Sequence, residues 1–136
     1  MPKVCQILIV EDSRPDVLLI REALAAADIQ AELHVVRDGE EAVRFLDAID
    51  AAKNAPCPDL VLLDLNLPKR TGIEVLRHLR EATGCGGTAV VIMTSSDSMD
   101  DRQSTASLGA REYFRKPSNY SEFMKLGLIV RAVLAD

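Results

Sequence analysis

No run of basic residues occurs anywhere in the chain, whose formal net charge is -5. Affinity for nucleic-acid backbones rests on clustered lysine and arginine, so duplex binding is excluded as the main function. Long apolar runs are missing too. Stretches such as LVLL at Leu60 to Leu63 fall far short of the ~20 residues a membrane-spanning helix needs. The opening MPKVCQILIVEDS lacks the cleavage region of a secretory signal. Cysteine is scarce: Cys5, Cys57 and Cys85 make an odd number without C-x-x-C spacing. That pattern argues against a zinc site and a disulfide framework, and leads to the expectation of a cytoplasmic protein with free thiols. His34 and His78 lie far apart, have no second ligand at metal-binding spacing, and read as surface or packing residues.

What is present is an apolar content of 48% over 136 residues, which fits one compact domain spanning 1–136. Short β-rich apolar runs alternate with longer helical periods, the pattern of parallel βαβ units. Strands are expected at Cys5 to Val10, Leu33 to Val36, Leu60 to Asp64, Ala89 to Thr94 and Glu112 to Phe114. Continuous apolar runs mark the central strands as buried on both faces. The first helix starts at the N-cap Ser13 with Pro15 in its first turn, and carries Val17, Ile20, Leu24 and Ala27 at helical spacing. Further helices run from Gly39 to Ala51, where KNAPCP breaks the period, from Gly72 to Glu81, from Met99 to Leu108 and from Tyr120 to Leu134. The fourth is polar. The fifth carries a stripe of Phe123, Leu126, Ile129, Val130 and Val133, wider than one buried face requires. The fold class is therefore α/β, a doubly wound (βα)5 parallel sheet. With the flavodoxin-like strand order 2-1-3-4-5, strands one and three are neighbours at the switch point where such sheets bind ligands.

That order brings the chemistry together. Glu11 and Asp12 end strand one, and Asp64 ends strand three. Repulsion and desolvation among three carboxylates raise at least one pKa unless a cation fills the gap, and magnesium suits an all-oxygen site completed by water and phosphate. Thr94 ends strand four, and Lys116 follows strand five. Clustered acids, a metal, a hydroxyl and a compact ammonium match phosphoryl transfer, with Asp64 as the carboxylate nucleophile. Each of these residues alone reads as a cap or a solvated charge. Their ordered recurrence at the ends of strands one, three, four and five favours a site.

At these residues the chain closely resembles the receiver domain of two-component response regulators. The resemblance implies that Glu11 and Asp12 are the acid pair, with Asp12 touching magnesium directly, and that Asp64 is the phosphoacceptor. It implies a metal contact from the Asn66 carbonyl, a phosphoryl contact from Thr94, pairing of Lys116 with the phosphoryl group, and a cis bond before Pro117. Tyr113 matches an aromatic switch whose rotamer follows Thr94. The phrases DLNLPKRTGIEVL and KPSNYSEF, with the loop AAKNAPCP, are most similar to stand-alone regulators paired with bacterial phytochrome histidine kinases. Thr71 and Ser118 depart from commoner family choices without removing a phosphate ligand.

The expected function is that of a phosphoacceptor signalling protein, not an enzyme acting on other substrates. It takes its phosphoryl group from a histidine kinase and signals to a downstream protein or phosphotransfer partner, with a homodimer through the helix 4, strand 5 and helix 5 face as a further expectation. A phosphatase with an aspartate nucleophile needs a second acid where Asn66 stands, and an amide cannot act as general acid. A flavin module needs a first loop of phosphate-binding backbone amides, whereas VEDSRPD is acidic. A receiver-like module that binds partners without phosphorylation is the remaining alternative.

Overall fold

In the computed structural model, which describes residues 4–52, 55–82 and 84–135, the sheet is built around β1 (Cys5–Val10). Parallel partners flank it, β2 (Ala31–Val36) on one side and β3 (Leu60–Leu63) on the other. β4 (Ala89–Thr94) and β5 (Glu112–Arg115) complete the order β2-β1-β3-β4-β5, the flavodoxin-like arrangement expected. The apolar runs are continuous because each face of the central strands meets helices. Leu60 and Leu62 join Ile7, Ile9, Val91 and Met93 on one side, while Val61 and Leu63 join Leu8, Val10, Val90 and Ile92 on the other. Each fully buried leucine or isoleucine there contributes ~1.5–3 kcal/mol.

α1 (Arg14–Ala26) and α6 (Lys125–Leu134) cover one face, and α2 (Gly39–Ala52) and α3 (Gly72–Glu81) the other, where the polar α4 (Met99–Ser107) adds little beyond Thr105. Thr71 caps α3: its hydroxyl accepts from the Glu74 N–H, and Glu74 reaches back to the Thr71 N–H. A threonine therefore suffices at this departure from the commoner Asp or Asn. His34 bonds Gln6 at 2.7 Å and His78 bonds Asp47 at 2.7 Å, consistent with packing and surface roles.

The structure corrects several expectations. β2 begins at Ala31, earlier than Leu33, because its pairing with β1 runs back to Cys5 opposite Ala31. The fifth helix is interrupted at Met124, giving α5 (Tyr120–Phe123) ahead of α6. The two pieces have separate seats: Phe123 packs edge-on against Phe114, with centroids 5.8 Å apart, and Gly127 lies against α1. A Cβ at Gly127 would stand 2.3 Å from the Ala23 carbonyl oxygen. That approach explains the wide apolar stripe within the chain, since Phe123, Leu126, Val130 and Val133 are all buried and Ile129 partly so.

The free-thiol expectation also fails for two cysteines. Cys57 and Cys85 form a disulfide, with Cα atoms 5.6 Å apart, inside the range a bridge requires. The cause is register: Leu60 pairs with Ala89, so the loops entering β3 and β4 run side by side and carry Cys57 and Cys85 with them. Cys5 remains a free thiol. The helix-breaking Lys53 and Asn54 of KNAPCP lie outside the described residues.

Candidate functional site

The pairing that builds the sheet also builds the site. Val10 pairs with both Val36 and Leu63, and the next residues stay in the ladder, with Glu11 N–H donating to the Val36 carbonyl at 3.0 Å and Asp64 N–H to the Val10 carbonyl at 3.1 Å. Glu11 and Asp64 are thereby carried inward, only 1% and 5% exposed, while Asp12 emerges into solvent. One carboxylate oxygen from each of Glu11, Asp12 and Asp64 falls within 4.8 Å of the others. An all-carboxylate set of this kind, without nitrogen or sulfur donors, fits a hard divalent cation.

Lys116 enters from the far side of the sheet. Its N–H donates to the Thr94 carbonyl at 2.8 Å, which seats the residue just beyond β5. Its ammonium then reaches Glu11 Oε1 at 2.5 Å, Asp16 Oδ2 at 2.8 Å and Asp64 Oδ2 at 3.1 Å. Burial raises the Glu11 carboxyl to about 7, against the lowering effect of its bond from Lys116 and with the help of the neighbouring Asp64 charge. Burial alone would lower the Lys116 pKa, but the bonds to Asp16 and Glu11 outweigh it and hold the ammonium charged, above its ordinary range.

Thr94 is fully buried, and its hydroxyl accepts from the Ser96 N–H and from Asn66 Nδ2, each at 3.3 Å. The Asn66 N–H donates to Asp64 Oδ1 at 3.1 Å. Asn66, expected to act through its carbonyl, therefore also bridges Thr94 and Asp64 by its side chain and N–H. Tyr113 is half-buried; its hydroxyl donates to the Ser96 carbonyl at 2.8 Å, and its ring lies 4.3 Å from the Arg102 guanidinium carbon. The ring is thus already fastened to the loop that follows Thr94. Pro117 is half-buried beside the site, but its peptide bond is trans, not cis: the described backbone holds no cis bond. Trans is the ordinary preference of X-Pro bonds, by ~0.5–1 kcal/mol.

The structure thus brings together Glu11, Asp12, Asp64, Asn66, Thr94 and Lys116 and sets Tyr113 one contact away. Asp16 and Arg102 were missed. Asp16 reads in the sequence as the acid of an S-x-x-D helix start, and the cap is half made: Ser13 Oγ accepts from the Asp16 N–H at 3.3 Å. The Ser13 N–H goes to Glu11 instead, leaving the Asp16 carboxylate to Lys116.

Residues 7–126 match the response regulator receiver domain family. The chain belongs to that family. Over 125 residues, 92% of the chain, it is 39% identical to the response regulator Rcp1 of Synechocystis sp., of which it covers 84%. The crystal structure of the phosphorylated cyanobacterial phytochrome response regulator RcpA superposes with a TM-score of 0.86 at 34% identity, covering 98% of this chain and 96% of that one. The Mn2+-bound form of response regulator Rcp1 gives a TM-score of 0.83 at 36% identity, covering 94% and 92%. This receiver is therefore similar, through nearly its whole length, to phytochrome response regulators of two-component signalling. Among the described residues no helix is long and apolar enough to cross a membrane.

Proposed function

We propose that this receiver, acting as one domain over residues 1–136, accepts a phosphoryl group on Asp64 from a histidine kinase of the bacterial phytochrome type and signals to a partner protein in the cytoplasm. The observation that carries the reading is the Lys116 ammonium, 3.1 Å from Asp64 beside the cluster of Glu11, Asp12 and Asp64. An Asp64 oxygen attacks phosphorus, the new P–O bond forms as the P–N bond of the donor phosphohistidine breaks, and the electron pair leaves with the imidazole. Magnesium, held by Asp12, Asp64 and the Asn66 carbonyl, with Glu11 acting through water, would neutralise phosphoryl charge when bound. Lys116 pairs with the transferred group, and the Thr94 hydroxyl turns to it.

That turn breaks the Thr94 bonds to Ser96 and Asn66. Because Tyr113 is fastened to the Ser96 carbonyl, the change passes to Tyr113, Pro117 and the surface of α4, β5 and α6, biasing an equilibrium between two states. The chemistry on this reading is confined to the chain's own phosphorylation and dephosphorylation. Self-association through the same surface belongs to the reading, supported by Leu128 of α6, which is 61% exposed, and is checked by the mass in solution with and without phosphodonor.

Incubation with magnesium and a small phosphodonor, followed by intact mass measurement, tests the core of the proposal. A single phosphoryl adduct on the wild type, missing in Asp64→Asn, is the expected result. No adduct from either the small donor or a cognate kinase would sink it, and would leave a module that binds partners without phosphorylation.

A further inference from the structure

Lys116 has one partner more than an acceptor site requires. An ammonium offers three protons, and here all three go to carboxylates, those of Glu11, Asp16 and Asp64. Two of these acids belong to the cluster that would hold a cation, but Asp16 does not, since the convergent oxygens come from Glu11, Asp12 and Asp64. Asp16 approaches from the first turn of α1, its side chain 26% exposed against 11% for Lys116. Nothing in the helix cap requires this contact, because the cap uses the Asp16 N–H and not its carboxylate.

We propose that Asp16 is a positioning residue for Lys116, drawing the ammonium toward α1 so that a cation can enter the acid cluster and, by the same pull, slowing phosphoryl acceptance on Asp64. The inference rests on the function proposed above and names a control on that site. Lys116 would be repelled by a divalent cation held among Glu11, Asp12 and Asp64, and would share two of its carboxylates with it. Asp16 is then the acid left to hold the ammonium. A phosphoryl dianion needs the opposite, with Lys116 turned fully to Asp64, and the charge of Asp16 opposes the dianion as well. Removing that charge therefore has two effects of opposite sense: weaker cation binding and faster acceptance.

Wild type, Asp16→Asn and Asp16→Glu decide the matter in two measurements. Titration calorimetry with Mg2+ alone reads cation affinity. Intact mass against time reads acceptance from acetyl phosphate, each variant at its own saturating Mg2+; there the Asp64 O–P bond forms as the donor's P–O bond breaks, and acetate leaves with the electron pair. In Asp16→Asn the Mg2+ dissociation constant is expected to rise about fivefold and the acceptance rate to rise about as much, the scale of one partly screened charge. Asp16→Glu restores both. A damaged fold would lower affinity and rate together, and that outcome overturns the inference, as does an Asp16→Asn variant no faster than wild type or one that binds Mg2+ equally well. Should the wild type take no phosphoryl group, the proposed function fails separately, and the Mg2+ titration still judges whether Asp16 governs cation entry.

Discussion

Reducing the Cys57–Cys85 disulfide should cost this protein much of its stability while leaving its chemistry alone. The bridge joins residues 28 apart, and in the chain-entropy treatment a closed loop of that length destabilises the unfolded state by ~3.6 kcal/mol. With an unfolding entropy of ~2.1 cal/mol/K per residue, 136 residues give ~290 cal/mol/K, so the melting temperature should fall by ~12 °C. The native loop should survive the loss. Arg80 grips it independently, donating to the Gly86 carbonyl at 3.1 Å and the Thr88 carbonyl at 2.6 Å while also holding Leu108 and Gly109. Nearly the whole effect therefore falls on the unfolded chain. The bridge stands before the N-terminal ends of β3 and β4, and Asp64 follows the other end of β3, so phosphoryl acceptance should not change. The assay is thermal unfolding followed by circular dichroism, with and without a phosphine reductant, alongside a thiol titration of the denatured protein. One reactive thiol, Cys5, is expected before reduction and all three cysteines after it. Three thiols before reduction, or a melting point that reductant does not move, would refute the reasoning.

Asp12→Ala should abolish metal-dependent phosphorylation, whereas Glu11→Ala should only weaken it, because Asp12 is exposed with its carboxylate free to meet a cation while both Glu11 oxygens are already bonded, to Lys116 and to the Ser13 N–H. Equal loss in the intact-mass assay would show the two roles wrongly divided. Cation affinity should fall as pH drops below about 7, by up to about tenfold per unit, because protonation of Glu11, whose carboxyl burial raises to about 7, takes a negative charge from the cluster. The same carboxyl, raised from 4.5 to about 7, contributes folding stability that is fully present below 4.5 and lost as pH rises through about 7. Calorimetric Mg2+ titrations on both sides of pH 7 check the first, and a flat profile contradicts it. Gly72→Ala should destabilise by ~1–3 kcal/mol in urea unfolding and slow acceptance, since its Cβ would stand 2.3 Å from the Asp64 carbonyl oxygen and 2.6 Å from Leu65 Cα. An unchanged midpoint would mean that the loop after Asp64 yields more easily than its packing implies.

The parts of the molecule legible in the sequence were those fixed by local pattern. LVLL is a strand because alternate residues serve opposite faces of a covered sheet, and α3 begins and ends as read because Thr71 caps it and GCGG follows it. That the acids, hydroxyl and lysine at successive strand ends converge was legible because the parallel topology leaves one edge on which they can meet. Register was not legible, and the disulfide depends on it: spacing along the chain carries no trace of Leu60 standing opposite Ala89. Asp16 was hidden for another reason. An acid in the first turn of a helix already has a sufficient role, and nothing local says that its carboxylate turns away to a lysine 100 residues further on.

Lys116 is where fold and site meet. Buried Glu11 and Asp64 repel one another at the end of two adjacent strands, and removing an opposing charge from such a group is costly because the remaining ion is left desolvated. One ammonium offsets that cost by bonding both carboxylates, so the residue that stabilises the acid cluster is the one that pairs with the phosphoryl group on the proposed reading. On the proposed reading, a cation would share the carboxylates that Lys116 bonds, and a phosphoryl group would share its ammonium. Its backbone is pinned to the Thr94 carbonyl, and the chain runs on directly through Pro117 to α5. Any movement of Lys116 is for that reason felt at the end of β5, where on the proposed reading the signalling surface begins.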